Sequence, residues 1–253
     1  MTDPLEQLNP TSRFSNRVDN YAKYRPSYPE QIIPYLEQTL GLTKEWTIAD
    51  IGSGTGIFSE LLLKKGYHVL GVEPNDGMRE EAEKKLAGYP AFTSIHGKAE
   101  ETALAAQSIH LITIAQAFHW MSRDACKKEF QRILIPGGFI VLIWNVRLTP
   151  TPFLKAFEEL KIKYGTDYKA SRMVNEKEIA AFFEPKPLSK IYIGHAQVVD
   201  YESLKGQLLS SSYIPLEGEQ EKHMMEELKD MFNTYNENGF VKIEYEAYVY
   251  VNA

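Results

Sequence analysis

The sequence of 253 residues has a single cysteine and no hydrophobic run of membrane-spanning length. One cysteine, Cys126, excludes an internal disulfide and a metal site built from cysteines. The most apolar stretch, Phe139–Trp144, is far shorter than the roughly 20 residues that a helix needs to cross a bilayer. The first residues lack the basic and apolar blocks of a secretion signal. We therefore expect a cytoplasmic protein without a membrane partner.

An excess of positive charge is also missing. The chain has 28 Lys and Arg residues against 34 Asp and Glu residues, a net charge of −6. This balance disfavours a surface that follows nucleic-acid phosphates, so no nucleic-acid partner is expected. The six histidines are scattered without a paired ligand spacing, so no metal site is expected either. At 43% hydrophobic, the chain can bury a core as one large domain.

Between Trp46 and Asn145, segments typical of strands alternate with segments typical of helices. The predicted strands are Ile48–Ile51, Tyr67–Val72, Phe92–His96, His110–Ala115 and Phe139–Trp144. The predicted helices are Ile57–Lys65, Asp76–Ala87 and a third that Ser122 caps and that runs to Leu134, with a turn at 136–138. Strands separated by helix-length segments favour right-handed crossovers and a mainly parallel sheet.

After residue 147 the pattern changes, and a helical cap or insert is predicted over 148–188. Beyond it, a short strand at Ile191–Ile193 and a helix near Lys222–Tyr235 precede strict alternation from Val241 to Val251. The apolar stripe of that helix is most simply core packing. The alternation predicts an antiparallel strand that closes the sheet. The predicted fold class is therefore α/β, a doubly wound, mainly parallel sheet with an antiparallel last strand and a helical cap.

The stretch ADIGSGTGIF at Ala49–Phe58 contains a glycine-rich loop between the first strand and the first helix. Its glycines alternate, whereas a dinucleotide fingerprint places its third glycine at the position occupied by Ile57. This spacing disfavours a nicotinamide-dependent oxidoreductase. Glu73 ends the second strand 21 residues after Gly52, where a carboxylate can accept hydrogen bonds from both hydroxyls of a ribose. The loop thus indicates an adenosine cofactor without a pyrophosphate.

The loop resembles motif I of the class I S-adenosylmethionine-dependent methyltransferases. Later motifs of that family are similar to Gly71–Pro74 with Met78, Gly97–Glu100, Gln116–Trp120 and Leu134–Gly138, in order and at fitting intervals. The stretches YRPSYP at Tyr24–Pro29 and AQAFHW resemble the small-molecule branch called methyltransferase type 11, which includes enzymes similar to trans-aconitate methyltransferase. The resemblance implies a Rossmann-like seven-stranded sheet, S-adenosyl-L-methionine as the cofactor and a small-molecule methyl acceptor.

The resemblance also implies roles for matching positions. The cofactor-binding residues would be Tyr24, Arg25, Asp50, Gly52, Ser53, Gly54, Gly56, Glu73, Pro74, Met78, Ala99, Glu100 and Gln116. The acceptor side would comprise Phe118, His119, Trp120, Trp144, Asn145, Arg147 and Tyr213. Within a single domain over 1–253, residues 14–45 would form an N-terminal lid, 46–147 the cofactor-binding core, 148–188 the cap, and 189–253 the rest of the sheet and acceptor side.

Several positions have two interpretations. Asp50 either faces the cofactor's ammonium group or orders the loop, and Met78 either lines the adenine or packs in the core. Arg25 either clamps the cofactor's carboxylate or belongs to a linker, and Arg147 either pairs with an acceptor carboxylate or is solvated. His119 is either a general base or a residue that shapes the pocket.

Other functions also compete with the small-molecule enzyme. A methyltransferase acting on nucleic-acid amines usually has an Asn/Asp-Pro-Pro-aromatic motif after the fourth strand, where this chain has Gln116–His119. A catalytically silent scaffold that binds the cofactor, or a macromolecular acceptor, is an alternative. If the acceptor is a carboxylate, its nucleophile is already anionic near neutral pH and needs no base.

Overall fold

A seven-stranded sheet organises the protein, for which a computed structural model describes residues 17–166, 168 and 175–252. The strand order is β3-β2-β1-β4-β5-β7-β6. Strands β1 to β5 pair in parallel, whereas β7 is antiparallel to both of its neighbours. The strands are β1 Thr47–Ile51, β2 His68–Val72, β3 Phe92–Ile95, β4 Ile109–Ala115, β5 Leu134–Arg147, β6 Ser189–Val199 and β7 Val241–Val251. The predicted fold class is confirmed.

Helices cover both faces of this sheet. Those of the described residues are α1 Val18–Tyr24, α2 Ile32–Leu40, α3 Ile57–Lys64, α4 Asp76–Leu86, α5 Arg123–Ile133, α6 Pro152–Tyr164, α7 Glu176–Phe183, α8 Tyr201–Leu209 and α9 Glu219–Tyr235. One hydrophobic cluster joins α5 and α7 to one face of the sheet, and a second joins α2 and α3 to the other. This burial on both faces explains why β1, β2 and β4 are mainly apolar.

The C-terminal part has its own hydrophobic cluster, built from α6, α8, α9 and β7. Met224, Leu228 and Phe232 of α9 are buried in it, as the apolar stripe predicted. The cluster places α6 and α8 beside the carboxyl end of the sheet. No helix of the described residues is both long and apolar enough to cross a membrane.

Three features differ from the sequence prediction. β5 begins at Leu134, and the predicted turn at 136–138 is a bulge in it, with Gly137 at φ +82° and a register shift against β4. β6 is longer than predicted, because it pairs along its whole length with β7. Helix α8 is absent from the prediction, although the Asp200 side chain caps it by accepting from the Ser203 N–H at 2.8 Å.

Helices α1 and α2 were also not predicted within the N-terminal segment 14–45. Residues 14–16 of that segment lie outside the described residues, as do 167 and 169–174 of the predicted cap. The remaining cap residues include α6 and α7. The position of α1 matters for function, because this helix packs against α8 and α4 rather than against the sheet.

Candidate active site

The site lies where the strand order of the sheet reverses. β1 is followed in the chain by its neighbour β2 on one side, while β4 lies on the other side of β1. The loops that follow β1 and β4 therefore diverge and leave a crevice at the carboxyl end of the sheet. The glycine loop follows β1, and Gln116–Trp120 follows β4, so both predicted motifs meet at this crevice.

The three loop glycines all have positive φ angles, of +69°, +56° and +76° in chain order. A methyl group on Gly52 would lie 2.6 Å from the Ala117 side chain, and one on Gly56 would lie 2.7 Å from the side chain of Leu86. A side chain at either of these two positions would therefore clash with a neighbouring side chain of the protein. A methyl group on Gly54 would meet nothing within 4 Å. Of the three positions expected to approach a cofactor, Gly54 alone faces open space.

Glu73 holds the glycine loop in place. Its Oε2 atom accepts from the Gly54 N–H at 2.9 Å, and its Oε1 atom accepts from the Asn75 N–H at the same distance. The side chain is 8% exposed, and burial raises its pKa. Each carboxylate oxygen has further lone pairs, so a ligand hydroxyl can still donate to it. Glu73 thus links the loop after β1 to the loop after β2.

Asp50 lies beneath the loop and is 1% exposed. Its carboxylate accepts from the Ser59 hydroxyl at 2.6 Å and from the Thr113 hydroxyl at 2.9 Å. Burial raises the pKa of Asp50 to about 6, although both hydroxyl bonds favour the charged form. This geometry ties α3 and β4 to the end of β1 and favours the loop-ordering interpretation.

Some of the predicted cofactor-binding residues have partners elsewhere in the protein. Glu100 accepts from the Ser122 N–H at 2.8 Å and so caps α5. Ala99 is buried in the core beside the sheet, and Met78 is also buried, next to the Asn75 side chain that caps α4.

The remaining predicted residues occupy the edges of the loop. Ser53 donates its N–H to the Val72 carbonyl at 3.2 Å, and Pro74 is half-buried at the end of β2. Tyr24 places its ring against Gly206 of α8 instead of lining the crevice. On the predicted acceptor side, Phe118 is buried and packs edge-on against Trp144 and Phe182.

A cavity of about 170 Å³ adjoins the loop. Eight residues predicted for the site line it, namely Arg25, Gln116, His119, Trp120, Trp144, Asn145, Arg147 and Tyr213. The structure also brings residues that sequence reasoning missed, namely Tyr21, Pro26, Tyr28, Ile57, Val146, Lys161, Tyr168, Gln207, Ser212 and Tyr245. The cavity thus draws on both termini of the described chain and on the cap.

Basic side chains dominate the charge of the cavity. Arg25, Arg147 and Lys161 line it, and no carboxylate of the described residues does. Arg147 donates to Glu158 at 2.6 Å just behind the wall, and Tyr168 also hydrogen-bonds that glutamate. Lys161 is 3% exposed. Three basic side chains in a lining without a carboxylate suit an anionic group, with Glu158 offsetting part of the charge of Arg147.

His119 lies in this cavity as a neutral imidazole. Burial, followed by the positive charges of Arg123 and Arg25, lowers its pKa to about 4. Among the described residues no carboxylate forms an ion pair with it. A histidine with so low a pKa is a weak base near neutral pH, because its basicity lies far from the working range.

Gln116 and Asn145 form a polar junction at the ends of β4 and β5. Gln116 has a φ of +58°, which is rare for a residue other than glycine. Its N–H donates to the Ile143 carbonyl and its side-chain Nε2 to the Asn145 carbonyl, both at 2.9 Å. Asn145 in turn hydrogen-bonds His195 at 2.7 Å. These contacts hold Gln116 and Asn145 in place in the lining of the cavity.

Sequence reasoning had few signals for the missed residues. Lys161 and Tyr245 follow the periodicity of an ordinary amphipathic helix and strand, so nothing local separates them from core and surface positions. Gln207 lies on a helix that was not predicted. The described residues contain no cluster of His, Cys, Asp or Glu that could hold a metal ion.

A doubly wound sheet with a glycine loop after β1 and an acidic residue after β2 is the architecture that the resemblance to class I methyltransferases implies. Residues 49–142 match the family described as "Methyltransferase domain". This match agrees with the sequence motifs, which resemble those of class I, the S-adenosylmethionine-dependent class.

Known proteins agree with this assignment. An uncharacterized methyltransferase of Mycobacterium bovis is 33% identical over 134 residues, which are 53% of this chain and 52% of that protein. An uncharacterized methyltransferase of Schizosaccharomyces pombe is 28% identical over 148 residues, 58% of each chain. The chain thus spans little more than half the length of these curated relatives. Neither bears on trans-aconitate methyltransferase, so that similarity stays a prediction.

Solved structures share the fold. One from Anaeromyxobacter dehalogenans, provisionally assigned as a type II methyltransferase, has a TM-score of 0.67 at 17% identity and covers 90% of this chain and 97% of its own. A phosphoethanolamine N-methyltransferase of Haemonchus contortus has a TM-score of 0.58 at 14% identity. The match covers 100% of this chain and 60% of that enzyme. At these identities the likeness shows the fold.

Proposed function

We propose that this protein transfers a methyl group from S-adenosylmethionine to a small-molecule acceptor. The observation that carries the proposal is the cavity at the point where the strand order reverses, directly beside the glycine loop of a methyltransferase domain. Ile57, the first residue after the loop, itself lines this cavity. Cofactor and acceptor would therefore bind in one continuous space.

The residues present fit this cofactor. The space in front of Gly54 admits a ligand next to the backbone, and Glu73 beside it has acceptor capacity for a ribose. Arg25 lines the cavity and has a buried Nε that lacks a hydrogen-bond partner among the described residues, and a guanidinium can bind a carboxylate. When bound, S-adenosylmethionine supplies an electrophilic methyl group. The Haemonchus contortus enzyme, crystallised with S-adenosylhomocysteine, supports the same choice.

The cavity favours a compact acceptor that carries an anionic group, such as a carboxylate. Arg147 and Lys161 contribute to it from β5 and from the cap helix α6, and the neutral His119 is also part of the lining. The aromatic side chains of Trp144, Tyr213 and Tyr245 line the same space, and a bound acceptor would displace water from it. An anionic oxygen needs no proton removed before it attacks, which suits a site whose histidine is a weak base.

In this proposal the cap contributes to acceptor selection, and His119 is a wall residue. The chain then accelerates transfer by holding the cofactor and the acceptor close together, in alignment and away from water. A silent cofactor-binding scaffold would retain the glycine loop but would not need three basic side chains in the lining of a cavity beside it.

Binding of S-adenosylmethionine and S-adenosylhomocysteine, without binding of NAD, is the first expected result. The spacing of the loop leaves no third glycine for a pyrophosphate, while Gly54 and Glu73 remain available for an adenosine. Isothermal titration calorimetry with all three ligands measures this directly. Tight NAD binding with no signal from either sulfur nucleoside would contradict the proposed function. A screen of metabolites with methyl-labelled cofactor, reading small-molecule and macromolecular fractions, then identifies the acceptor.

Replacement of His119 by Asn should cost less than about tenfold in the rate of methyl transfer, because general-base help of ~10²–10⁴-fold is not expected from this imidazole. A base with a pKa of about 4 is fully deprotonated well below neutrality, so the rate should be flat from about pH 6 to about pH 8. The measurement is the pH profile of wild type, His119→Asn and the surface control His223→Asn. A thousandfold loss, with a pH-dependent limb present only in wild type, would make His119 the base.

A further inference from the structure

Arg17 joins two distant parts of the chain through three hydrogen bonds. Its guanidinium donates to the Leu209 carbonyl at 3.0 Å, to the Ser211 carbonyl at 2.6 Å and to the Ile214 carbonyl at 2.5 Å. The residue is 8% exposed. The carbonyls at the end of a helix carry partial negative charge, so the guanidinium closes the C-terminus of α8 and orders the segment 209–214 after it.

The two parts that Arg17 connects both contribute residues to the lining of the cavity. Helix α1 begins at the next residue and places Tyr21 on the cavity, with Arg25 following its end. The segment 209–214 contributes Ser212 and Tyr213 to the same cavity. Arg25 reinforces the connection through its contact with the Ser210 carbonyl at 3.5 Å. Both segments have other contacts as well, because α1 also packs against α4, and Ile214 is buried in the C-terminal cluster with β7.

A second contact attaches the same helix to α8. The Tyr24 ring packs so closely on Gly206 that a methyl group there would overlap it. Gly206 is buried in the middle of α8, where glycine weakens a helix relative to alanine. The close approach of α1 explains why a glycine occupies this position. Arg17 and the Tyr24–Gly206 contact therefore fasten α1 at both of its ends.

We propose that Arg17 is a positioning residue that couples the cofactor side of the cavity to the acceptor side. A cofactor held by Arg25 stabilises α1, and α1 then stabilises segment 209–214, so that Ser212 and Tyr213 are in place before an acceptor enters. This inference rests on the proposed function, because it takes S-adenosylmethionine as the ligand on the α1 side. Coupling of this kind is reciprocal and typically changes affinity by about 5- to 150-fold.

The test uses S-adenosylhomocysteine as the probe with the full chain. Its dissociation constant is measured by calorimetry, and amide hydrogen exchange is followed in segment 209–214 with and without it. In wild type, the probe should slow exchange in this segment. Arg17→Gln should weaken binding by about 5- to 150-fold and abolish the slowing of exchange. Gly206→Ala, which separates α1 from α8 and favours the helix itself, should have both effects without altering Arg17.

The control is Lys222→Gln, which makes the same change in charge on the exposed face of α9 and should behave as wild type. Unchanged affinity in Arg17→Gln, or probe-dependent slowing of exchange that persists in it, would overturn the coupling. If Arg17→Gln does not fold, the same outcomes for Gly206→Ala decide the matter. Failure of wild type to bind the probe would instead overturn the proposed function, and the inference with it.

Discussion

Replacement of Gly54 by Val should abolish binding of S-adenosylhomocysteine, with a loss of affinity of more than about 100-fold. The protein leaves the space in front of Gly54 empty, so the two methyl groups of valine would project into the volume proposed for the ligand. The Cβ of the new side chain would meet no protein atom within 4 Å, so we expect the sheet beneath the loop to remain intact. Calorimetry gives the affinity, and thermal unfolding shows that the domain is folded.

The chain provides a close control for backbone strain. Gly41 has a φ of +68°, also faces open space and ends α2 away from the cavity. Valine at either position is forced into the left-handed region, which disfavours a β-branched residue. Gly41→Val should therefore lower the unfolding midpoint as Gly54→Val does but bind the ligand normally. Equal binding by the two variants would mean that Gly54 does not face the cofactor.

Replacement of Glu73 by Ala should weaken S-adenosylhomocysteine binding by at least about tenfold. The carboxylate holds the Gly54 and Asn75 amides, and each hydrogen bond to a charged acceptor contributes about 1.5–3 kcal/mol. The loss combines a looser glycine loop with the missing ribose contact. Glu219→Ala, an exposed glutamate on α9, is the control and should bind as wild type.

The two parts of that loss can be separated with a ligand that lacks a hydroxyl. If Glu73 binds the ribose, the 2′-deoxy analogue of S-adenosylhomocysteine should bind wild type more weakly, and Glu73→Ala should discriminate little between the two ligands. A variant that discriminates as strongly as wild type would place the ribose contact on another residue and leave Glu73 with the loop alone.

The sheet could be predicted from sequence because its signals are local. Buried parallel strands are short apolar runs, and glycines end the helices between them, so β1 to β5 and the glycine loop were recognisable without tertiary information. The antiparallel β7 was equally visible, since one partly exposed sheet face gives strict alternation. The length of β6 could not be predicted, because it is set by pairing with β7, which is distant in the sequence.

The cavity was only half predictable for a related physical reason. Residues after β4 and β5 could be placed from the rule that parallel strands bind ligands at their carboxyl ends. Lys161, Gln207 and Tyr245 come from a cap helix, an unpredicted helix and the last strand, which only the packing of the C-terminal cluster brings together. Glu100 and Tyr24 have partners within the protein, the Ser122 N–H and Gly206, that the sequence did not indicate, and their contacts with a cofactor stay predictions.

The left-handed backbone of Gln116 restricts which residues can end β4. Glycine adopts this conformation without cost, and asparagine tolerates it, whereas a β-branched side chain would be strained there. Glycine would relieve the strain but would lose the side chain that donates to the Asn145 carbonyl. Mutational tolerance at the mouth of the cavity should therefore be narrow at Gln116 for reasons of chain geometry, even under selection for folding alone.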